Sequence, residues 1–219
     1  MSWCMRNSAL CCSHETVESP TKDTDDVLLV GLQGSGKTLL GQRLRTVYGK
    51  AQTPFRAATT PTNGCQDFRV PTRKGCPFKE IRIRECGGSM QPLWGHWYDR
   101  PLSAVLLAVD GADPGGLAAA GVVLQGLLEH PSLASTPVCV VLTKSDLPGV
   151  LAPPQLEAGL GLQQLQVQAQ QPGRLRVTRV SSVQELAECP QLGELVDWMA
   201  EVKALKAWRE QLRQGMQQQ

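Results

Sequence analysis

The sequence predicts an α/β fold: a mostly parallel six-stranded sheet with one antiparallel hairpin strand and helices on both faces. Three observations predict it. Residues 104–109 and 138–142 are continuous apolar runs of strand length, the mark of strands covered on both sides. Strand-like and helix-like segments alternate along the chain, as parallel βαβ units require. The first such unit joins Val27–Val30 to a helix from Lys37 through a turn carrying Gly31, Gly34 and Gly36.

The other elements follow in order. Residues 1–25 are polar and irregular and read as a flexible tail. The first helix is expected over 37–48, closed by Gly49. Residues 50–66 lack periodicity and carry Thr, Pro and Asn, so they read as a long surface loop. Residues 67–70 and 80–84 are short strands flanking Pro71-Thr72-Arg73-Lys74-Gly75, a hairpin. A turn at 85–89 precedes a short aromatic segment at 91–98. Leu117–Glu129 reads as a helix stopped by Pro131, residues 151–171 as a helix and then a Gln-rich surface, and 175–180 as the last strand. Leu192, Leu195, Val196, Met199, Val202 and Leu205 keep helical spacing, and the residues after 212 read as a flexible end.

Composition narrows the class. The chain has 219 residues, 42% hydrophobic, enough for one domain with a full core plus tails. A net charge of +2 gives no nucleic-acid footprint. No run of about 18 apolar residues exists to span a membrane, and the first residues lack the apolar core of a signal peptide. The expectation is a cytoplasmic monomer, with peripheral membrane contact left open. Met1-Ser2 excludes N-myristoylation of this form. The 8 cysteines form no C-x-x-C pair and read as reduced thiols, Cys139 as a core residue. Cys11, Cys12 and His14 lack the second ligand pair of a zinc site. Cys4, Cys11 and Cys12 are the candidate palmitoylation positions.

Gly31-Leu32-Gln33-Gly34-Ser35-Gly36-Lys37-Thr38 fits the phosphate-binding loop pattern. Glycines let backbone N–H groups turn inward around a polyphosphate, and the following helix points its positive end at the same anion. Lys37 can reach the outer phosphates, and the Thr38 hydroxyl can ligate Mg²⁺. A second stretch, Thr143-Lys144-Ser145-Asp146, follows the buried strand 138–142. Ligands of open α/β sheets bind at the carboxyl ends of strands, so this tetrapeptide falls beside the phosphate loop. A carboxylate there can accept two hydrogen bonds from guanine, which adenine does not offer. The stem of Lys144 can lie over the base. An ordinary helix-capping Ser/Asp after a strand explains Asp146 equally simply.

Over residues 26–212 the chain resembles a small Ras-superfamily GTPase of the Arf and Arf-like branch. The family's phosphate loop falls on 31–38, and its first-switch threonine on Pro61-Thr62-Asn63-Gly64. Its second switch falls on Arg84-Glu85-Cys86-Gly87-Gly88-Ser89 and Pro92-Leu93-Trp94. Its Asn-Lys-x-Asp falls on 143–146, and its Ser-Ala base-binding loop on Ser181-Ser182. The resemblance implies a small G-domain that binds GTP or GDP with Mg²⁺. Thr38 and Thr62 would hold the metal with Glu85 near it, Gly88 would sense the outer phosphate, and Lys144, Asp146, Ser181 and Ser182 would hold the base. It also implies effectors docking on both switches and the interswitch hairpin, an exchange factor, an activating protein, and a setting in trafficking or cilium-related transport.

The departures bear on mechanism. Glu85 replaces the usual Asp with one extra methylene. Ser89 replaces the glutamine that orients the attacking water and is too short to reach the same place, so intrinsic hydrolysis is expected to be weak or absent. Thr143 replaces the Asn that braces the base and the loop. Trp94, Trp97 and Tyr98 are open to two readings, an effector patch or packing beneath the second switch. The alternatives are a pseudo-GTPase interaction module, disfavoured by the retention of Lys37, Thr38 and Thr62, and a P-loop nucleotide kinase, for which no arginine-rich lid is found.

Overall fold

Val27–Val30 (β1) has no exposed surface, because the strand lies inside a six-stranded sheet with neighbours on both edges. A computed structural model describes residues 27–49, 60–168 and 173–217. β1 pairs in parallel with Glu80–Cys86 (β3) on one side and Ala104–Asp110 (β4) on the other. β3 pairs antiparallel with Cys65–Pro71 (β2). β4 continues in parallel through Val138–Thr143 (β5) to Leu175–Arg179 (β6). The spatial order is β2-β3-β1-β4-β5-β6, the mostly parallel sheet with one antiparallel edge that the sequence predicts.

Side chains alternate along each strand, so every central strand feeds two cores. Leu28 and Val30 join Val105, Leu107 and Val140 beneath Leu117–Glu129 (α2), Pro153–Leu160 (α3) and Leu162–Gln168 (α4). Val27 and Leu29 join Phe68, Ile83, Leu106 and Val141 beneath Lys37–Val47 (α1) and Gln191–Gln217 (α5). Helices therefore cover both faces. In β4 and β5 a polar side chain appears only at the carboxyl end, Asp110 and Thr143, and β1 has none.

Several boundaries move. β2 and β3 are longer than the hairpin expected, reaching Cys65 and Cys86. The segment at 151–171 is two helices, because Gly161 takes a left-handed conformation (φ +65°) and turns its N–H back to the carbonyl of Ala158. The Gln-rich stretch continues as α4 rather than a plain surface loop. The aromatic segment is a 3₁₀ helix, Gly88–Trp97. Residues 213–217, read from sequence as a flexible end, continue α5. Apart from Gly215 they are good helix formers, and Lys206 and Glu210 add an i,i+4 pair just before them. The tail at 1–25 and residues 50–59 of the loop expected at 50–66 lie outside the described residues, as do Cys4, Cys11, Cys12 and His14.

Gly41 on α1 shows how closely this helix approaches the sheet. A Cβ there would stand 2.4 Å from Cε2 of Phe68, whose ring is 1% exposed and has nowhere to go. Gly41→Val gains a few tenths of a kcal/mol of helix propensity but overpacks the core, which costs about 1–3 kcal/mol. The expected outcome is a net loss of roughly 1–3 kcal/mol, read by urea unfolding.

Candidate functional site

The loop between β1 and α1 crosses the carboxyl ends of the central strands. Gly31 (φ +151°) is required by position as well as conformation, since a Cβ there would lie 2.3 Å from the carbonyl oxygen of Ala108 on β4. That contact pins the start of the loop to the sheet. Gly36 caps α1 in the left-handed region, and no side chain covers the first amides of the helix. Lys37 is 5% exposed and its ammonium donates to the carbonyl of Leu32 at 2.8 Å. The amine is folded back over its own loop, with Ser35 Oγ a further 3.5 Å neighbour. Burial lowers the Lys37 pKa, and the charge of Glu85 opposes that shift.

Three oxygen groups from three segments converge beside this lysine. Thr38 Oγ1 donates to Glu85 Oε1 at 2.6 Å and lies 2.9 Å from Thr62 Oγ1. Thr62 reaches the same carboxylate oxygen at 3.4 Å. Glu85 has no exposed surface, and its second oxygen, Oε2, is buried with no hydrogen-bond partner. Burial raises the Glu85 pKa; the Thr38 bond, the Lys37 charge and the Thr62 bond pull it back. Two hydroxyls and a carboxylate with an oxygen to spare form a hard, all-oxygen donor set, which fits Mg²⁺. No cluster of three or more His, Cys, Asp or Glu exists among the described residues, so soft-metal sites do not compete.

Gly87 and Gly88 close the cleft from the β3 side. A Cβ on Gly88 would stand 2.4 Å from the amide nitrogen of Gln33, and one on Gly87 would stand 2.2 Å from the carbonyl of Thr62. Only glycines let this backbone touch both the loop and the 60–64 segment. The resulting cleft, about 450 Å³, is lined by Gln33, Gly34, Lys37, Thr38, Thr62, Glu85, Gly88 and Ser89 among others. Ser89 is exposed at its rim. Trp94 is 1% exposed and donates its indole N–H to the Gly87 carbonyl at 3.1 Å. Trp97 and Tyr98 pack on the same core, Tyr98 edge-on to His130. Trp94 therefore packs beneath the glycines, while Trp97 and Tyr98 are half-buried. The exposed apolar side chain of this segment is Leu93.

The 143–146 stretch sits on the other side of the loop. Thr143 Oγ1 lies 2.8 Å from the Ser35 carbonyl and 3.1 Å from that of Val109, with a single proton to serve both. Lys144 is held at φ +58°, a left-handed conformation costly for a lysine. Its ammonium pairs with Asp110 Oδ2 at 2.5 Å. Asp146 accepts from Ser181 Oγ at 2.6 Å, and Ser181 also takes the backbone N–H groups of Val183 and Gln184. No described residue bonds Asp146 Oδ2. Ser182 Oγ is buried without a partner. Asp110, at the end of β4, is the site residue that sequence reasoning missed; its signal was a carboxylate ending a wholly apolar strand beside the loop.

The geometry is that of a polyphosphate cradle with an acidic side pocket. The model of the ADP-ribosylation factor family matches residues 15–202. The chain belongs to the ADP-ribosylation factor family. It is 35% identical over 134 residues to human ADP-ribosylation factor-like protein 16, covering 60% of this chain and 65% of that protein. It is 30% identical over 138 residues to ADP-ribosylation factor-like protein 13B of Chlamydomonas reinhardtii, covering 62% of this chain and 24% of that one. The matched stretch therefore spans less than two thirds of either relative. Among solved structures, the Arl6 BBS3 small GTPase from Trypanosoma brucei with bound GppNp superposes with a TM-score of 0.65. That match covers 84% of this chain and 99% of that one at 21% identity, and it shows the shared fold.

The raised Glu85 carboxyl makes nucleotide-free stability depend on pH. A group whose folded pKa exceeds its unfolded one binds more protons when folded, so stability falls as pH rises between the two values. Wild-type protein, free of nucleotide and metal, is expected to lose stability as pH rises from about 4, where an unperturbed glutamate titrates, through the raised value. Glu85→Gln should flatten that slope. Urea unfolding across the pH range reads both.

Proposed function

We propose that this chain is a guanine-nucleotide switch of the Arf-like type, binding GTP and GDP with Mg²⁺ and hydrolysing GTP slowly by itself. One observation carries the reading: Lys37, Thr38, Thr62, Glu85 and the Gly88 backbone, from three separate segments, meet on one cleft. Bound Mg²⁺ would neutralise phosphate charge. Thr38, Thr62 and Glu85 would hold it, and the free Glu85 Oε2 would gain a partner. Lys37 would exchange the Leu32 carbonyl for phosphate oxygens.

Thr62 and Gly88 lie on the two segments that touch the cleft from outside the phosphate loop. Contact with an outer phosphate would draw both inward and its loss would release them, which makes a two-state switch. Effector proteins would read that difference across both segments and the β2–β3 hairpin, with an exchange factor and an activating protein setting the state. Asp146 would accept the guanine N1–H and 2-amino groups, Ser181 already fixing its other oxygen. Ser182 and the Lys144 stem would flank the base. No helix among the described residues is long and apolar enough to cross a membrane. Work in trafficking, in the cytoplasm or peripherally on membranes, is the setting that family membership suggests.

Calorimetry tests the reading directly: heat with GDP and GTP in Mg²⁺ is expected, and none with either would overturn it. Asp146→Asn should abolish the preference for GTP over ATP. Retained preference would remove Asp146 from the base site.

Thr143→Asn supplies two N–H donors where one hydroxyl proton now serves two carbonyls. It should tighten GDP binding by about 0.5–1.5 kcal/mol, roughly threefold to tenfold. Single-turnover phosphate release should run below the roughly 3–5 × 10⁻⁴ s⁻¹ of Ras without its activator, and Ser89→Gln should raise it.

A further inference from the structure

Cys65 and Cys86 face each other across the β2–β3 pair, with Sγ atoms 3.2 Å apart. The Gly87 N–H bonds the Gly64 carbonyl at 2.9 Å. A bond between the residues just outside a pair marks that pair as non-hydrogen-bonded, where Cα atoms approach to about 4.5 Å and side chains are closest. That separation lies inside the window of about 4.4–6.8 Å that a disulfide spans. The two thiols also differ in access. Cys65 is exposed, whereas Cys86 has no exposed surface.

We infer that Cys65 and Cys86 are an oxidisable dithiol, a modification site that closes to a disulfide tying the 60–64 segment to Gly87-Gly88. The oxidant class is a hydroperoxide. The exposed Cys65 thiolate attacks the outer peroxide oxygen; the O–O bond breaks, Cys65 becomes a sulfenic acid and the remaining oxygen leaves as hydroxide or alkoxide. Cys86 sulfur then attacks Cys65 sulfur; the S–O bond breaks, an S–S bond forms, and the hydroxyl leaves with the Cys86 proton as water. Two thiols lose two protons and two electrons, and the peroxide is reduced by the same two electrons.

The other described thiols are built differently. Cys139 and Cys189 are buried, and burial pushes Cys139 up to about 12, leaving it inert. Cys76 is partly exposed but sits beyond the opposite end of the hairpin. It is the natural internal control. The bridge itself would fall three residues after Thr62 and two before Gly88. Both segments would then move together or not at all.

The test uses the full chain, reduced, desalted and treated with hydrogen peroxide, then alkylated and mapped without reductant. The expected result is loss of two hydrogens per chain and two fewer titratable thiols of the 8. One linked peptide pair carrying Cys65 and Cys86 should appear, disappear with dithiothreitol, and be absent from Cys65→Ser. That variant alters an exposed side chain and should fold; Cys86→Ala checks the buried partner. Amide exchange over 60–64 and 87–89 should slow in the bridged form. Oxygen added to Cys65 without a bridge, or a bridge from Cys65 to any other cysteine, would overturn the proposal, as would unchanged exchange over both segments. None of these readouts needs nucleotide, so the outcome is separate from that of the guanine-nucleotide assignment.

Discussion

A buried carboxylate with one oxygen satisfied and the other bare is the constraint around which the site is arranged. Glu85 Oε1 is held by Thr38 and approached by Thr62, while Oε2 has no partner. Leaving such an atom unpaired costs about 1–3 kcal/mol or more for a charged group. Folding tolerates it because the strand that carries Glu85 is fixed on both sides, by β1 in parallel and β2 antiparallel. Lys37 supplies the nearest positive charge, and each of the two groups opposes the effect of burial on the other. A cation beside Oε2 would relieve this unpaired oxygen.

The sheet explains why these groups can meet at all. β1 ends in the phosphate loop, β3 in Glu85 and the two glycines, β4 in Asp110, and β5 in Thr143 through Asp146. Ser181 follows β6 by two residues. Parallel strands put these ends on one edge. Shifting β4 by one residue would move Ala108 from beneath Gly31 and carry Asp110 away from Lys144.

What could be read from the chain divides by distance along it. α2 was legible at both ends because its apolar spacing is strong and prolines bracket it. The phosphate loop was legible because its chemistry lies within eight consecutive residues. Asp110 was not, since a lone carboxylate after a strand looks like any solvated strand end; only the fold brings Lys144 to it. The packing of Trp94 depends on a carbonyl seven residues back in a turn whose path no periodicity gives. Cys65 and Cys86 are the intermediate case. The Val70–Ile81 pairing within the expected hairpin already fixes their register, but both lie past the strand ends drawn from alternation, where the pattern stops and the backbone ladder continues.

The extra methylene of Glu85 changes how this edge works. With it, the carboxylate bonds Thr38 at 2.6 Å directly and comes within reach of Thr62. The two hydroxyls and the acid are thus joined to one another, so these side chains tie the 60–64 segment to α1 through β3, beside the Gly87 N–H bond to the Gly64 carbonyl. A cation entering among them would displace those bonds while giving Oε2 the partner it lacks. Its net gain is the difference between metal coordination and charge-assisted hydrogen bonds, which are themselves roughly twice as strong as neutral ones. A shorter acid would leave the hydroxyls to water and give the cation more to gain. The longer acid thus lowers what a cation would gain here and ties the outer segment through protein contacts.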